Sequence, residues 1–263
     1  ANVTGLSDNT SYDAYVRSVC DTTATPPEVS DWSSVSSFTT SCNPSNAPFD
    51  ENFDAGNWVS NADDDLIVDQ DQFEDCWSRL PINNDNNFTW VVFTGSTGSI
   101  GTGPDDDVSG GGNYVVTEAS NGSDGSETFL NLPQIDLSLL TTPSLTFFYH
   151  MFGSDVGILS VEVKDVADAN YTELFSISGQ QQSASSDAFI EKFVNLNAFA
   201  GQIVDIRFKG TKVGSGVAAD IAIDEVSIEN GPDCPKPDGL TVTNTQSNSV
   251  DLSWNPVSNA SDG

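Results

Sequence analysis

The chain has 263 residues, 39 acidic against 8 basic, a formal net charge of −31 and 37% hydrophobic residues. That charge argues against a nucleic-acid partner, because phosphate contacts need clustered Lys and Arg, and no apolar run approaches the ~18–20 residues of a membrane span. The length allows one or two domains, and plentiful Gly, Ser, Thr, Asn and Asp without a long helical period point to an all-β protein with many turns.

The acidic surplus has two readings. One is a solvated surface suited to salty surroundings. The other is a set of carboxylates gathered around divalent cations. Four cysteines, none in a C-x-x-C pair, suit two disulfides in an oxidising compartment rather than zinc. Four cysteines allow three pairings. No leader pattern opens at Ala1, so the chain reads as an interior segment.

In the first 42 residues, Tyr12, Ala14, Val16 and Ser18 alternate with Asp13, Tyr15, Arg17 and Val19, the period of a strand. A Pro-containing loop leads to Ser30-Asp31-Trp32-Ser33 and a short strand ending Ser37-Phe38-Thr39-Thr40. The series G-L-x-x-N-T-x-Y-x-x-Y-V-R-S-V-C, S-D-W-S and S-F-T-T resembles the last strands of a fibronectin type III domain, in the form found in surface proteins of Bacteroidota. The resemblance implies a tyrosine corner of Leu6 and Tyr12. It also places Cys20 and Cys42 on either side of a final hairpin that they would bridge.

From residue 43 to 232 the chain reads as one long β module. Phe49 and Phe53 precede Asp54, and Asn57-Trp58 and Cys76-Trp77 read as core aromatics. Asp63-Asp64-Asp65 reads as an exposed loop. Phe88–Val92 and Asn113–Ser120 follow, separated by the glycine- and acid-rich stretch Gly101 to Gly112. The central stretch is Ser144 to Val163, SLTFFYHMFGSDVGILSVEV. Leu145, Phe147 and Tyr149 alternate with Thr146, Phe148 and His150, and Ile158, Ser160 and Glu162 alternate with Leu159, Val161 and Val163. With Gly153 and Asp155 between them, the two strands are expected to form a hairpin. Phe189–Leu196 then alternates as a strand, between the strings Thr172–Gly179 before it and Gln202–Gly210 and Asp220–Ile228 after it.

Several strings here fall in the order of one family. F-Y-H-M-F-G-S-D-V-G-I-L-S-V-E-V, Phe88-Thr89-Trp90, T-G-P-x-x-D at Thr102–Asp107, Asn113–Ser120, I-x-F-x-G at Ile206–Gly210 and D-I-A-I-D-E-V at Asp220–Val226 resemble MAM domains, which are extracellular adhesion modules. The resemblance implies a jelly-roll β-sandwich of two antiparallel sheets, with its first and last strands side by side. Asp54, Asp105, Asp107 and Asp224 fall on or beside the family's motifs. They are the expected calcium ligands, with backbone carbonyls completing the shell. Cys76 and Cys234 are placed like the family's early and final cysteines, which implies the pairing Cys76–Cys234. The extra cysteines that animal members carry around the central stretch are absent.

Residues 233–263 open with Cys234-Pro235-Lys236-Pro237. Leu240–Thr243 and Ser249–Trp254 then alternate as strands. They resemble the first strands of another fibronectin type III domain, with Trp254 in its core.

Catalytic motifs are missing. The single histidine, His150, reads as a hydrogen-bonded structural residue, and no G-x-S-x-G, H-E-x-x-H or P-loop string occurs. The expected function is a non-catalytic, calcium-stabilised binding or adhesion module of a large repetitive bacterial surface or secreted protein. Its expected partners are a surface glycan or neighbouring copies. The alternatives are a passive spacer or fibre-forming repeat, or a carbohydrate-binding accessory module of a secreted hydrolase. For sugar stacking the candidates are Trp58, Trp77 and Trp90, each also suited to a core.

Overall fold

The computed structural model describes residues 2–21, 23, 25–60, 73–81, 88–120, 122–232 and 240–254. Among them there is no α-helix, only one turn of 3-10 helix at Asn197–Phe199. Strands β1 (Ser11–Ala14), β2 (Val19–Asp21), β3 (Glu28–Val29) and β4 (Ser36–Thr39) form two small sheets, β1 with β4 and β2 with β3. Thirteen strands build the main body: β5 (Ser45–Asn46), β6 (Phe49–Glu51), β7 (Ser78–Leu80), β8 (Thr89–Thr94), β9 (Asn113–Glu118), β10 (Glu127–Asn131), β11 (Ile135–Asp136), β12 (Pro143–His150), β13 (Ile158–Asp165), β14 (Thr172–Ser178), β15 (Ile190–Asn195), β16 (Ile203–Thr211) and β17 (Ala222–Asn230). A last two-stranded sheet is made by β18 (Thr241–Thr245) and β19 (Val250–Ser253).

The main body is a β-sandwich. One sheet runs β14-β13-β16-β10-β7, with β11 and β5 added beside β16. The other runs β15-β12-β17-β9-β8, with β6 alongside β17. Alternation sets which side chains fill the space between them. Leu145, Phe147 and Tyr149 of β12 face Leu159, Val161 and Val163 of β13 and Phe208 of β16 across one core. Phe147 and Phe208 meet edge to face at 4.9 Å, a geometry worth ~0.5–1.5 kcal/mol beyond area burial. Phe53, Trp58 and Trp77 close one end of this core, with Phe53 and Trp58 4.8 Å apart.

The central stretch departs from the hairpin reading. β12 pairs with β15 and β17, whereas β13 pairs with β14 and β16 in the opposite sheet. Met151–Gly157 is therefore a crossing between sheets. Two glycines make it possible: Gly153 holds φ +144, and a Cβ on Gly157 would lie 1.9 Å from the Thr211 carbonyl oxygen. Both strands are central and need neighbours on two sides, which a mutual hairpin would not supply.

The cysteine pairing is also different. Cys42 is bonded to Cys76 across 34 positions, with Cα atoms 6.0 Å apart. Neither Cys20–Cys42 nor Cys76–Cys234 can then form. The reason lies in the sheet: β5, just after Cys42, joins the sheet that holds β7, just after Cys76. Cys20 is an exposed free thiol on β2, and Cys234 and the Asp63–Asp65 run lie outside the described residues. As expected, the first and last strands of the sandwich lie together, Phe49–Glu51 antiparallel to Val226–Ile228.

Candidate functional site

The adjacency of β6 and β17 sets the place of the site. Asp54 follows β6, and Asp224 sits within β17, where the strand is irregular. Between Asp224 and Ser227, β17 carries Glu225 and Val226 opposite the single Phe147 of β12. Glu225 takes φ +47, a left-handed conformation uncommon for a residue with a side chain. This is a β-bulge, and bulges re-aim side chains. Asp224 is left 1% exposed.

The loop between β8 and β9 covers that carboxylate. Asp224 Oδ2 accepts the Val108 N–H at 2.9 Å, and Oδ1 accepts the Glu225 N–H at 2.7 Å. Asp107 folds the loop on itself. Its Oδ2 accepts from the Ser109 N–H and hydroxyl, at 2.9 and 2.6 Å, and its Oδ1 from the Gly112 N–H at 2.8 Å. Asp54 Oδ1 accepts the Asn113 N–H at 2.7 Å. A Cβ on Gly112 would lie 1.9 Å from that oxygen, so this glycine lets Asp54 approach the loop. Asp54, Ser109, Gly110, Gly111, Gly112 and Asn113 line a shallow polar cleft of about 360 Å³.

Electrostatics separate these acids. Burial pushes the Asp224 carboxyl up to about 7, and the neighbouring Glu225 and Asp107 charges add to the rise. Glu225 is raised by burial and then by Asp54, Asp107 and Asp50. Burial also acts upward on Asp107, but the Ser109 hydroxyl and the Gly112 and Ser109 N–H groups outweigh it and hold the group below its ordinary value.

The structure thus brings together three of the four expected ligands, Asp54, Asp107 and Asp224, around one glycine loop. Asp105 stays apart: its N–H is bonded to Ser185 O at 3.0 Å, and its charge faces Tyr114 and His150. Glu225 joins the group without having been singled out in the sequence. Among the described residues, no three His, Cys, Asp or Glu side chains converge in metal-ligating geometry, and the carboxylates are turned to backbone N–H groups.

The other candidates are in the core. Trp58, Trp77 and Trp90 are buried and offer no ring face to a sugar. His150 is fully buried with its ring 5.3 Å from Phe189. Burial lowers its pKa, while the Ala184 and Asp187 backbone and the Asp187 and Asp105 charges act in the other direction.

No helix among the described residues is long and apolar enough to cross a membrane, which leaves β-barrels unaddressed. Mouse neuropilin-1 is 32% identical to this chain over 161 residues, covering 60% of the chain and 16% of that protein. Mouse MAM domain-containing protein 2 is 34% identical over 148 residues, covering 56% of the chain and 20% of that protein. The chain therefore matches only a small part of each relative's length. Among solved structures, the K1 cleaved adhesin domain of Lys-gingipain from Porphyromonas gingivalis W83 aligns with a TM-score of 0.46 at 18% identity, covering 70% of this chain and 98% of that one. That likeness is too distant to transfer a property. The family model for the MAM domain, meprin/A5/mu, matches residues 72–235, well over half of the sequence, and the chain belongs to the MAM domain family.

Proposed function

We propose that this MAM domain is a non-catalytic extracellular binding and adhesion module whose glycine loop is held by calcium. The carrying observation is Asp224. A carboxylate that is 1% exposed and pushed up to about 7 stands beside Asp107 and Glu225, with no cation among its hydrogen-bond partners. A hard divalent cation takes about 6–8 oxygen ligands. Asp54, Asp107, Asp224 and Glu225, with carbonyls of the loop, fit such an ion in donor type. Asp54 is exposed and Glu225 half-buried, so both are able to turn toward it. Calcium would neutralise the buried charge and tie the β8–β9 loop to the first and last strands of the sandwich.

The flanking strands are read as fibronectin type III strands within a large bacterial surface protein. The contact that supports this is Ser7 N–H to Tyr12 Oη at 2.9 Å, the bond a tyrosine corner makes. A surface glycan remains a candidate partner.

The test is a thermal melt of the 263-residue protein in calcium and in chelator. The expected outcome is a higher midpoint with calcium, about 2.7 kcal/mol of added stability at ~100 times its dissociation constant. The Gly112→Ala variant, which displaces Asp54, should show a smaller rise. An identical midpoint in both buffers removes calcium from the proposal. Glycan screens belong in the calcium condition.

A further inference from the structure

The turn from β13 to β14 holds Asn170-Tyr171-Thr172, an N-x-T string without proline. Such a string is the acceptor for N-linked glycosylation, which needs the asparagine amide and the hydroxyl two residues on, both at the surface. Here both are at the surface. Residues 166–170 are exposed, and so is Thr172, the first residue of β14. Other asparagines and aspartates of the sandwich turn back on the chain. Asp165 accepts the Ala167 N–H at 2.7 Å, Asn195 the Asn197 N–H at 2.8 Å, and Asn230 the Thr141 and Thr142 N–H groups at 2.9 Å each. Neither the Asn170 amide nor the Thr172 hydroxyl has a hydrogen-bond partner among the described residues. The residues around them are the ones that are held. Tyr171 is half-buried, with the Arg207 guanidinium 3.7 Å and the Lys164 ammonium 5.4 Å from its ring. Lys164 also donates to the Asp168 carbonyl at 3.1 Å, and the Asp168 N–H to the Asp165 carbonyl at 2.9 Å. The turn is thus fixed at Asp165, Asp168 and Tyr171 and presents Asn170 and Thr172 to water.

We infer that Asn170 is a glycosylation site, which takes an oligosaccharide from a lipid-linked diphosphate donor. Asn170 Nδ2 attacks the anomeric carbon of the donor. A carbon–nitrogen bond forms there, the bond from that carbon to the diphosphate oxygen breaks, one amide proton passes to the transferase, and the lipid diphosphate leaves. The string is longer than the minimal one. Asp168 stands two positions before Asn170, giving D-x-N-x-T, the form that acid-requiring bacterial transferases read. It recurs at Asp85–Thr89, where Asn87 lies outside the described residues. Position argues for the same assignment. An exposed turn is where a transferase reaches a chain that has already folded. β14 ends its sheet, with β13 as its strand neighbour. A free edge of 7 residues is a template for pairing with another chain, and a bulky, solvated group at its first turn obstructs that pairing. The glycan would also leave the acid cleft open. Asp165 pairs with Val204 and Ile158 with Thr211, so the turn lies at the end of β13 away from the Met151–Gly157 crossing. The glycine loop is tied to that crossing, Gly103 N–H to Phe152 O at 3.1 Å. The inference is independent of the cation reading.

The test is export of the 263-residue protein from a bacterial host that carries an acid-requiring oligosaccharyltransferase and its lipid-linked donor, followed by peptide mass spectrometry. An unrelated acceptor protein in the same cells reports that the transferase is active. The expected result is an Asn170 peptide heavier by one oligosaccharide. The added mass is lost in Asn170→Gln and in Thr172→Val, and most of the occupancy is lost in Asp168→Ala. All three are surface changes and should leave the melting midpoint close to that of the wild type. Purified protein offered to the transferase without denaturant should also be modified at Asn170. An unmodified Asn170 in cells where the control acceptor is modified overturns the inference. So does modification of the purified protein that appears only after unfolding in urea.

Discussion

At the scale of single residues, Asp224 links structure to a measurable pH dependence. An ordinary Asp titrates at ~3.9, and here burial and then Glu225 and Asp107 raise it to about 7. The folded state therefore holds this proton more tightly than the unfolded chain. The associated stability is complete below about pH 4 and is lost as pH rises through 7. Asp220 acts in the same direction, pushed up to about 8 by burial and then by Glu118. Cation-free protein is thus expected to melt at a higher temperature at pH 5 than at pH 8, and Asp224→Asn should flatten the profile and shrink the calcium effect together. A midpoint that falls from pH 8 to pH 5 would instead give the dominant role to His150. Its burial lowers its pKa, so its contribution is present above ~6.5 and lost on acidification. Asp54, Asp107 and Asp224 were legible in the sequence because motif positions carry them to the meeting point of first and last strands. Glu225 was not. Plain alternation sends it to the face opposite Asp224, and only the bulge, with its positive φ, brings it into the group.

At the scale of elements, alternation marked β12, β13 and β15 as strands, and Leu145, Phe147 and Tyr149 of β12 and Leu159, Val161 and Val163 of β13 form the buried sets. It was silent on which sheet each strand joins. A period of two records burial of a face, and both faces of the sandwich core look the same in that record. The same limit applies to the disulfide, since pairing depends on which strands become neighbours. The crossing from β12 to β13 rests on Gly153. Its φ is +144, and an added Cβ would meet the Ala218 carbonyl oxygen at 2.3 Å, a backbone atom that cannot swing away. Gly153→Ala is expected to destabilise the protein by about 2–3 kcal/mol from backbone strain alone. Urea denaturation measures this. A loss below about 0.5 kcal/mol, within the range of an innocuous surface change, would mean that the crossing has another conformation available.

At the scale of the whole molecule, the acidic chain keeps its few cations in structural places. Arg79 and Lys212 are buried, and Lys164, Arg207 and Lys209 form ion pairs with Asp205, Glu162 and Glu127. What remains is a negative body whose self-repulsion salt screens. The Cys42–Cys76 bond closes a loop of 34 positions, a constraint worth about 3–4 kcal/mol in the chain-entropy description. The same bond also sets how the module bears tension. A pull on the segment before Cys42 passes through the sulfur bridge to Cys76 and into β7. Strands β5 and β6 and the Asp54 turn sit in a side branch that carries no load. Stretching one molecule to full extension should therefore release about 120 Å less length when oxidised than when reduced, 34 positions at ~3.6 Å each. The acidic loop would keep its Asp54 arm tethered while the chain around it is drawn out.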